Sequence, residues 1–208
     1  MLANGFLALL YSLDTMMVGA LSNTADAGTY SIASRLAQVI LFAMNAAQAI
    51  ASPLIVEASL RPTNDGLKSL IFTFNRVALI VAVPVAIGLA GFAHPILRIF
   101  GPAFADRDDV LRVLVAMQVL NVLTGPTGMM LSMLGLQEAL ARLLALGVLI
   151  NVLLNLVWIP AYGPIGAAYS SLVAHATWNI LAIVVLYRRH SVNCTVFGAR
   201  PAKRTEAA

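Results

Sequence analysis

Charge is what this sequence has least of: only 11% of its 208 residues are Asp, Glu, Lys or Arg, against about 25% in soluble domains. With 60% apolar residues and a mean hydropathy of +0.88, no soluble fold could bury the apolar surface, which places the chain in a lipid bilayer. Cysteine is nearly absent too. The single Cys194 excludes an intrachain disulfide and leaves the redox compartment open. There is no glycine-rich phosphate loop, no Cys or His pairing at zinc spacing and no Ser/His/Asp set in an extramembrane loop. These absences argue against an enzyme, against a metal or other cofactor, and against ATP as a direct energy source. The net charge of +4 does not mark a nucleic-acid partner, because the basic residues collect at helix ends and in the tail, with no stripe of interleaved aromatics. Residues 1–21 lack a basic leading region and a small-residue cleavage site, and Asp14 interrupts their apolar run, so they do not read as a signal peptide. They read as a membrane helix that begins abruptly, as though Met1 were internal to a longer chain.

What is present is a series of long apolar runs. A membrane span needs about 20 predominantly apolar residues, and cutting the chain at its charged and Gly/Pro-rich points leaves six segments. They run from Leu2 to Leu21, Ala25 to Glu57, Ser69 to Phe92, Val110 to Leu134, Ala139 to Ile159 and Ile165 to Tyr187. The fold class expected is an all-α integral membrane bundle of six transmembrane helices over residues 1–190, followed by a basic, disordered cytoplasmic tail over 191–208. The second segment is too long for the hydrocarbon alone and is expected to tilt or to project near Pro53. Residues 98–109, RIFGPAFADRDD, are too polar to span. They predict a short interfacial helix and a turn, with Asp108 or Asp109 capping the next helix. Arg61, Lys68, Arg142, Arg188, Arg189, Arg200, Lys203 and Arg204 fall on one side of six spans, against Arg98, Arg107 and Arg112 on the other. The bias toward positive cytoplasmic loops places both termini in the cytoplasm.

Polar groups inside spans are costly and tend to face a bundle interior or a water-filled cavity. On the second segment Ser31, Ser34, Arg35, Gln38, Asn45, Gln48 and Ser52 project within an arc of about 140°. On the fourth, Gln118, Asn121, Gly125, Gly128 and Ser132 project within about 80°, and Pro126 removes a backbone hydrogen bond at mid-span. That pattern suits a helix that bends, or one that packs through small and amide residues. Arg35 lies about 15 Å inside its span. It suits either an anionic phosphate ligand, which a guanidinium grips through parallel hydrogen bonds, or an ion pair with Asp14 on the neighbouring helix. Asp14 is alternatively a cation or proton site. Arg76 reads as snorkelling to the interface, Asn151 and Asn155 as a packing pair at i and i+4, and His175 with Thr177 and Asn179 as packing residues or a proton relay.

The ordered motifs Asp14-Thr-Met-Met-Val-Gly19, Ala27-Gly28-Thr-Tyr30, Ile99-Phe-Gly-Pro-Ala-Phe104 and Ile159-Pro-Ala-Tyr-Gly-Pro-Ile-Gly-Ala-Ala168 resemble the C-terminal half of polysaccharide flippases. Those flippases belong to the multidrug/oligosaccharidyl-lipid/polysaccharide exporter (MATE-like) superfamily, and the resemblance covers residues 5 to 190. It implies one six-helix lobe of a two-lobe, alternating-access transporter in a bacterial inner (cytoplasmic) membrane. The substrate implied is a polyprenyl-pyrophosphate-linked saccharide, with membrane lipids around it and no nucleic acid. Arg35, Gln38, Asn45, Gln48 and Asn121 are the expected substrate-binding cavity residues, and Asp14 the ion-coupling candidate. Members usually carry twelve or more spans, so a second six-helix lobe or a homodimer partner is implied. The alternatives are a cation-coupled multidrug exporter working through Asp14, and a non-transporting membrane subunit or truncated fragment.

Overall fold

A computed structural model of the chain describes the backbone of residues 2–59 and 65–190 and the side chains of residues 12–42, 45 and 72–189. The expectations for Arg61, for the side chains of Gln48, Ser52 and Lys68, and for the tail with Cys194 lie outside the described residues. Among the described residues the fold is entirely helical: α1 (Leu2–Leu21), α2 (Thr24–Ser59), α3 (Asp65–Gly91), α4 (Ala93–Arg98), α5 (Pro102–Ala105), α6 (Asp108–Thr124), α7 (Thr127–Met133), α8 (Gln137–Tyr162) and α9 (Pro164–His190). Three of these, α3 from Phe72, α8 and α9 up to Arg189, are long and apolar enough to cross a membrane. The pair α6 and α7 makes a fourth if it is counted as one broken span.

Local chemistry accounts for the boundaries. Between α1 and α2, Asn23 accepts the backbone N–H of Asp26 at 2.8 Å and donates back to its carboxylate at 2.9 Å, so an orphan donor of the α2 N-terminus is satisfied. The fourth apolar segment is not one helix. It breaks at Gly125 and Pro126, with a bend of 42° between α6 and α7, because Gly125 turns at φ +77° and Pro126 has no N–H to continue the ladder. The polar stretch before it folds as α4 and α5, and the capping expected of Asp108 or Asp109 is not seen. Arg107 holds the cap position of α6, both aspartates lie inside its first turn, and Asp109 accepts only the adjacent Val110 N–H, at 2.8 Å. There the two carboxylates face the positive end of the helix dipole.

The α8–α9 hairpin turns at Gly163, φ +66°, and is drawn close by Gly166. A Cβ added there would lie 2.2 Å from the Trp158 carbonyl oxygen, so only glycine permits this approach of the two helices. Small residues play the same part in the main core, where Ala33, Ala37, Ala78, Ala82, Ala167 and Ala168 are buried among Val18, Tyr30, Leu111 and Leu114. Lipid is as apolar as leucine, so close packing and internal hydrogen bonds hold such helices together. A second cluster, Met130, Leu131, Leu144, Trp178 and Leu186, joins α7, α8 and α9.

Candidate functional site

Two polar clusters interrupt this core. The first surrounds Asp14, which α1 places on its buried face one turn before Val18. One carboxylate oxygen accepts from Asn151 Nδ2 at 2.9 Å and Asn155 Nδ2 at 2.7 Å. The other accepts from Tyr30 Oη at 2.8 Å and from the Ser171 hydroxyl. Four helices, α1, α2, α8 and α9, therefore converge on one acidic side chain, and all five residues are buried. A buried carboxylate is tolerated only when its lone pairs are satisfied, and here neutral donors supply that satisfaction.

The second cluster clasps the break between α6 and α7. Asn179 of α9 donates to Asn121 Oδ1 at 2.9 Å and to the His175 carbonyl at 2.9 Å. Its own oxygen accepts from Thr127 at 2.9 Å and Thr124 at 3.2 Å. Asn121 in turn donates to Gln118 Oε1 at 2.9 Å. One amide thus holds both sides of the Gly125–Pro126 break. Ser171, His175 and Asn179 succeed one another at four-residue intervals along α9 and join the clusters: His175 Nδ1 lies 2.9 Å from the Ser171 carbonyl oxygen, and its ring meets Trp178 edge-on.

The outer surface differs. The exposed positions of α8 and α9 include Leu149, Leu153, Val173 and Ile180. Helix α3 exposes Thr73 and Arg76, whose guanidinium lies 5.6 Å from the centre of the Phe72 ring, and then Ile80 and Val83. On α2 Arg35 and Asn45 stand exposed beside Val39 and Phe42. Gln38, half-buried, donates to Ser34 Oγ at 3.1 Å. Arg35 sits about 140° around α2 from Tyr30. The ion pair considered for Arg35 and Asp14 is not formed, because Asp14 points into the core while Arg35 points out of it.

With this geometry in place, comparison with known proteins is informative. The sequence model of the polysaccharide biosynthesis protein family matches residues 1–106. The chain belongs to this family. It is 27% identical over 179 residues to the Haloferax volcanii protein named "Probable flippase AglR", a match covering 84% of this chain and 37% of that one. It is 23% identical over 170 residues to the "Probable low-salt glycan biosynthesis flippase Agl15" of the same organism, covering 81% and 36%. The chain thus matches little more than a third of the length of these curated relatives. No solved structure matches.

In this member of the polysaccharide biosynthesis family, the residues singled out from sequence separate into two groups. Arg35, Gln38 and Asn45 share the outward side of α2. Asn121 does not join them, being buried in the clasp with Asn179. Asn151 and Asn155, read as a packing pair, are donors to Asp14. Tyr30, Ser171, Thr124 and Thr127 were missed. Three of the Asp14 partners were legible by depth: Asp14 precedes Ser22 by eight residues, Tyr30 follows Asn23 by seven, Asn155 precedes Gly163 by eight and Ser171 follows it by eight. All four therefore lie at one level, roughly 12 Å from turns on the same side of the bundle. That these turns share a side is seen in Arg107, from the α5–α6 junction, reaching Asp26 at 3.8 Å, and in the Asp26 carboxylate lying 4.0 Å from a Cβ built on Gly163. Among the described residues no group of three His, Cys, Asp or Glu gathers as metal ligands.

Proposed function

We propose that this chain is one six-helix lobe of a MATE-like flippase that carries a polyprenyl-pyrophosphate-linked saccharide across the cytoplasmic membrane. The observation that carries the reading is the contrast in exposed surface. The outward faces of α8 and α9, and of α3 beyond Arg76, suit lipid. On α2 an exposed arginine and an exposed asparagine ten residues apart carry the polar side further along the helix and suit a water-filled path. In this reading Arg35 takes the pyrophosphate, while Gln38 and Asn45 line the saccharide path; the amide of Asn121 serves the clasp. A second six-helix lobe, from another chain or from a second copy, closes the cavity opposite α2. The share of the relatives' length that is matched, little more than a third, supports a complementary lobe. The excess of basic residues after the second and sixth spans supports cytoplasmic termini.

Asp14 is the coupling centre in the same reading. An asparagine turned about its Cβ–Cγ bond offers oxygen in place of nitrogen. The side chains that donate to the carboxylate can then present oxygens from Asn151, Asn155, Ser171 and Tyr30, with Asp14, to a monovalent cation; the alternative occupant is a proton on Asp14 itself. Either event changes the charge at the point where four helices meet. The test is glycolipid flipping with the complementary lobe supplied. Arg35→Ala is expected to reduce flipping without loss of membrane insertion, and unchanged flipping at normal abundance would remove Arg35 from the mechanism.

A further inference from the structure

The corner where α3 passes into α4 carries a feature independent of both polar clusters. A groove of about 510 Å³ opens there, lined by Val85, Gly88 and Leu89 of α3 and by Phe92, Ile96 and Ile99. Its lining is almost wholly apolar. Its floor is a glycine with space above it, since a Cβ on Gly88 meets nothing within 4 Å, and its rims, Phe92 and Ile99, are 65% and 82% exposed. Projected around the helix axis, α4 presents three faces. Phe92, Ile96 and Ile99 border the groove, Ala93 and Leu97 enter the core, and His94 and Arg98 form an exposed third face, one turn apart.

The arginines of this side of the bundle are not equivalent. Arg107 reaches Asp26 at 3.8 Å, and Arg112 pairs with Asp108 at 2.8 Å while also donating to the Ala90 carbonyl. Arg98, beside the groove, pairs with no carboxylate among the described residues. We infer that this corner binds one anionic phospholipid, with an acyl chain along the groove and its phosphate on Arg98, supported by His94. In hydrocarbon an apolar groove has little preference for one chain over another, because surrounding lipid is equally apolar. Selectivity must then come from the headgroup, where a guanidinium meets a phosphate in a bidentate, charge-assisted pair, while the groove fixes where the chain lies. A short amphipathic segment with a basic face and an apolar face at the end of a span is the geometry of an interfacial lipid contact.

The test uses the full 208-residue chain, purified in detergent and titrated with phosphatidylglycerol or with phosphatidylcholine of identical acyl chains, read by native mass spectrometry and by melting temperature. Phosphatidylglycerol is expected to be retained more tightly and to raise the melting temperature further. Arg98→Gln should weaken its retention roughly tenfold, the scale of one charge-assisted pair, and bring the two lipids level. Arg98→Lys should retain a reduced preference. Gly88→Leu, whose Cβ meets nothing within 4 Å, should occupy the groove and lower retention of both lipids while circular dichroism and elution volume stay unchanged. Equal retention of the two lipids by the wild-type chain, or an Arg98→Gln variant that keeps the preference, overturns the site. Displacement of phosphatidylglycerol by equimolar polyprenyl phosphate also overturns the phospholipid assignment, and would give the groove to the prenyl chain of a transported lipid.

Discussion

Asp14 and Arg35 are both ionisable side chains on the neighbouring helices α1 and α2, and the fold treats them in opposite ways. Asp14 is buried and accepts from Tyr30, Asn151, Asn155 and Ser171, all neutral. Arg35 is exposed. Had they paired, each would have neutralised the other and little would remain for a ligand. Apart, the carboxylate ties four helices together, and the guanidinium stands on an outward stripe of α2 beside Val39 and Phe42. A charge inside a bundle is therefore not one kind of signal. What it does depends on whether neutral donors already satisfy it.

The contrast can be broken most severely at Asp14. Asp14→Leu removes the acceptor shared by the hydroxyls of Tyr30 and Ser171 and two asparagine amides, leaving them only their longer contacts with one another. At about 1–3 kcal/mol for each buried group left unsatisfied, a loss of roughly 3 kcal/mol or more is expected, measured as unfolding in detergent; a loss below about 1 kcal/mol would mean that the cage does not hold the helices. Next comes the clasp. Asn179→Leu removes the partner of the Thr127 hydroxyl and of the Asn121 side-chain oxygen, and one of two partners of Thr124, and should lower stability by about 1–3 kcal/mol. It should also shift the fluorescence of Trp178, which packs beside Gly128 just after the break, read in a Trp158→Phe background. Unchanged emission would show that the bend does not need Asn179.

Smaller effects sharpen the comparison. Asp14→Asn keeps the shape but removes the charge, so stability should change by about 1 kcal/mol while flipping in the two-lobe assembly is abolished; retained flipping would take the coupling role from Asp14. Smallest in stability is Arg35→Gln, expected within about 0.5 kcal/mol, as for exposed positions, with flipping strongly reduced. Because the two groups do not touch, the stability changes of Asp14→Asn and Arg35→Gln should add within about 0.5 kcal/mol in the double variant. A larger interaction energy would reinstate the ion pair.

The helical segments were readable because lipid demands long apolar runs with internally satisfied backbones, and α3, α8 and α9 lie within a few residues of the runs marked from sequence. The break was half readable. Pro126 announced a bend, but the pairing of Gly125 at positive φ with an asparagine from α9 that clasps both sides could not be seen from one segment alone. The capping of α6 went wrong for a local reason: two adjacent aspartates offered themselves, and the helix began one residue earlier, at Arg107, with both in its first turn. On α2 Arg35, Gln38 and Asn45 share one side of the helix, since helical periodicity fixes which residues share a face whatever surrounds them.

By itself, then, the sequence determined that this is a membrane protein of long helices, which of its residues share a helical face, and, through its ordered motifs, its likeness to polysaccharide flippases. Composition and period are properties of a single helix in its solvent. Tertiary structure alone decided that Asp14 meets Tyr30, two asparagines and a serine instead of Arg35, that Asn179 spans the break, and that Arg98 lacks an acidic partner among the described residues. Those outcomes depend on how far each helix is rotated about its axis and how closely it can approach its neighbours. Residues such as Gly166, where no side chain fits, set that approach.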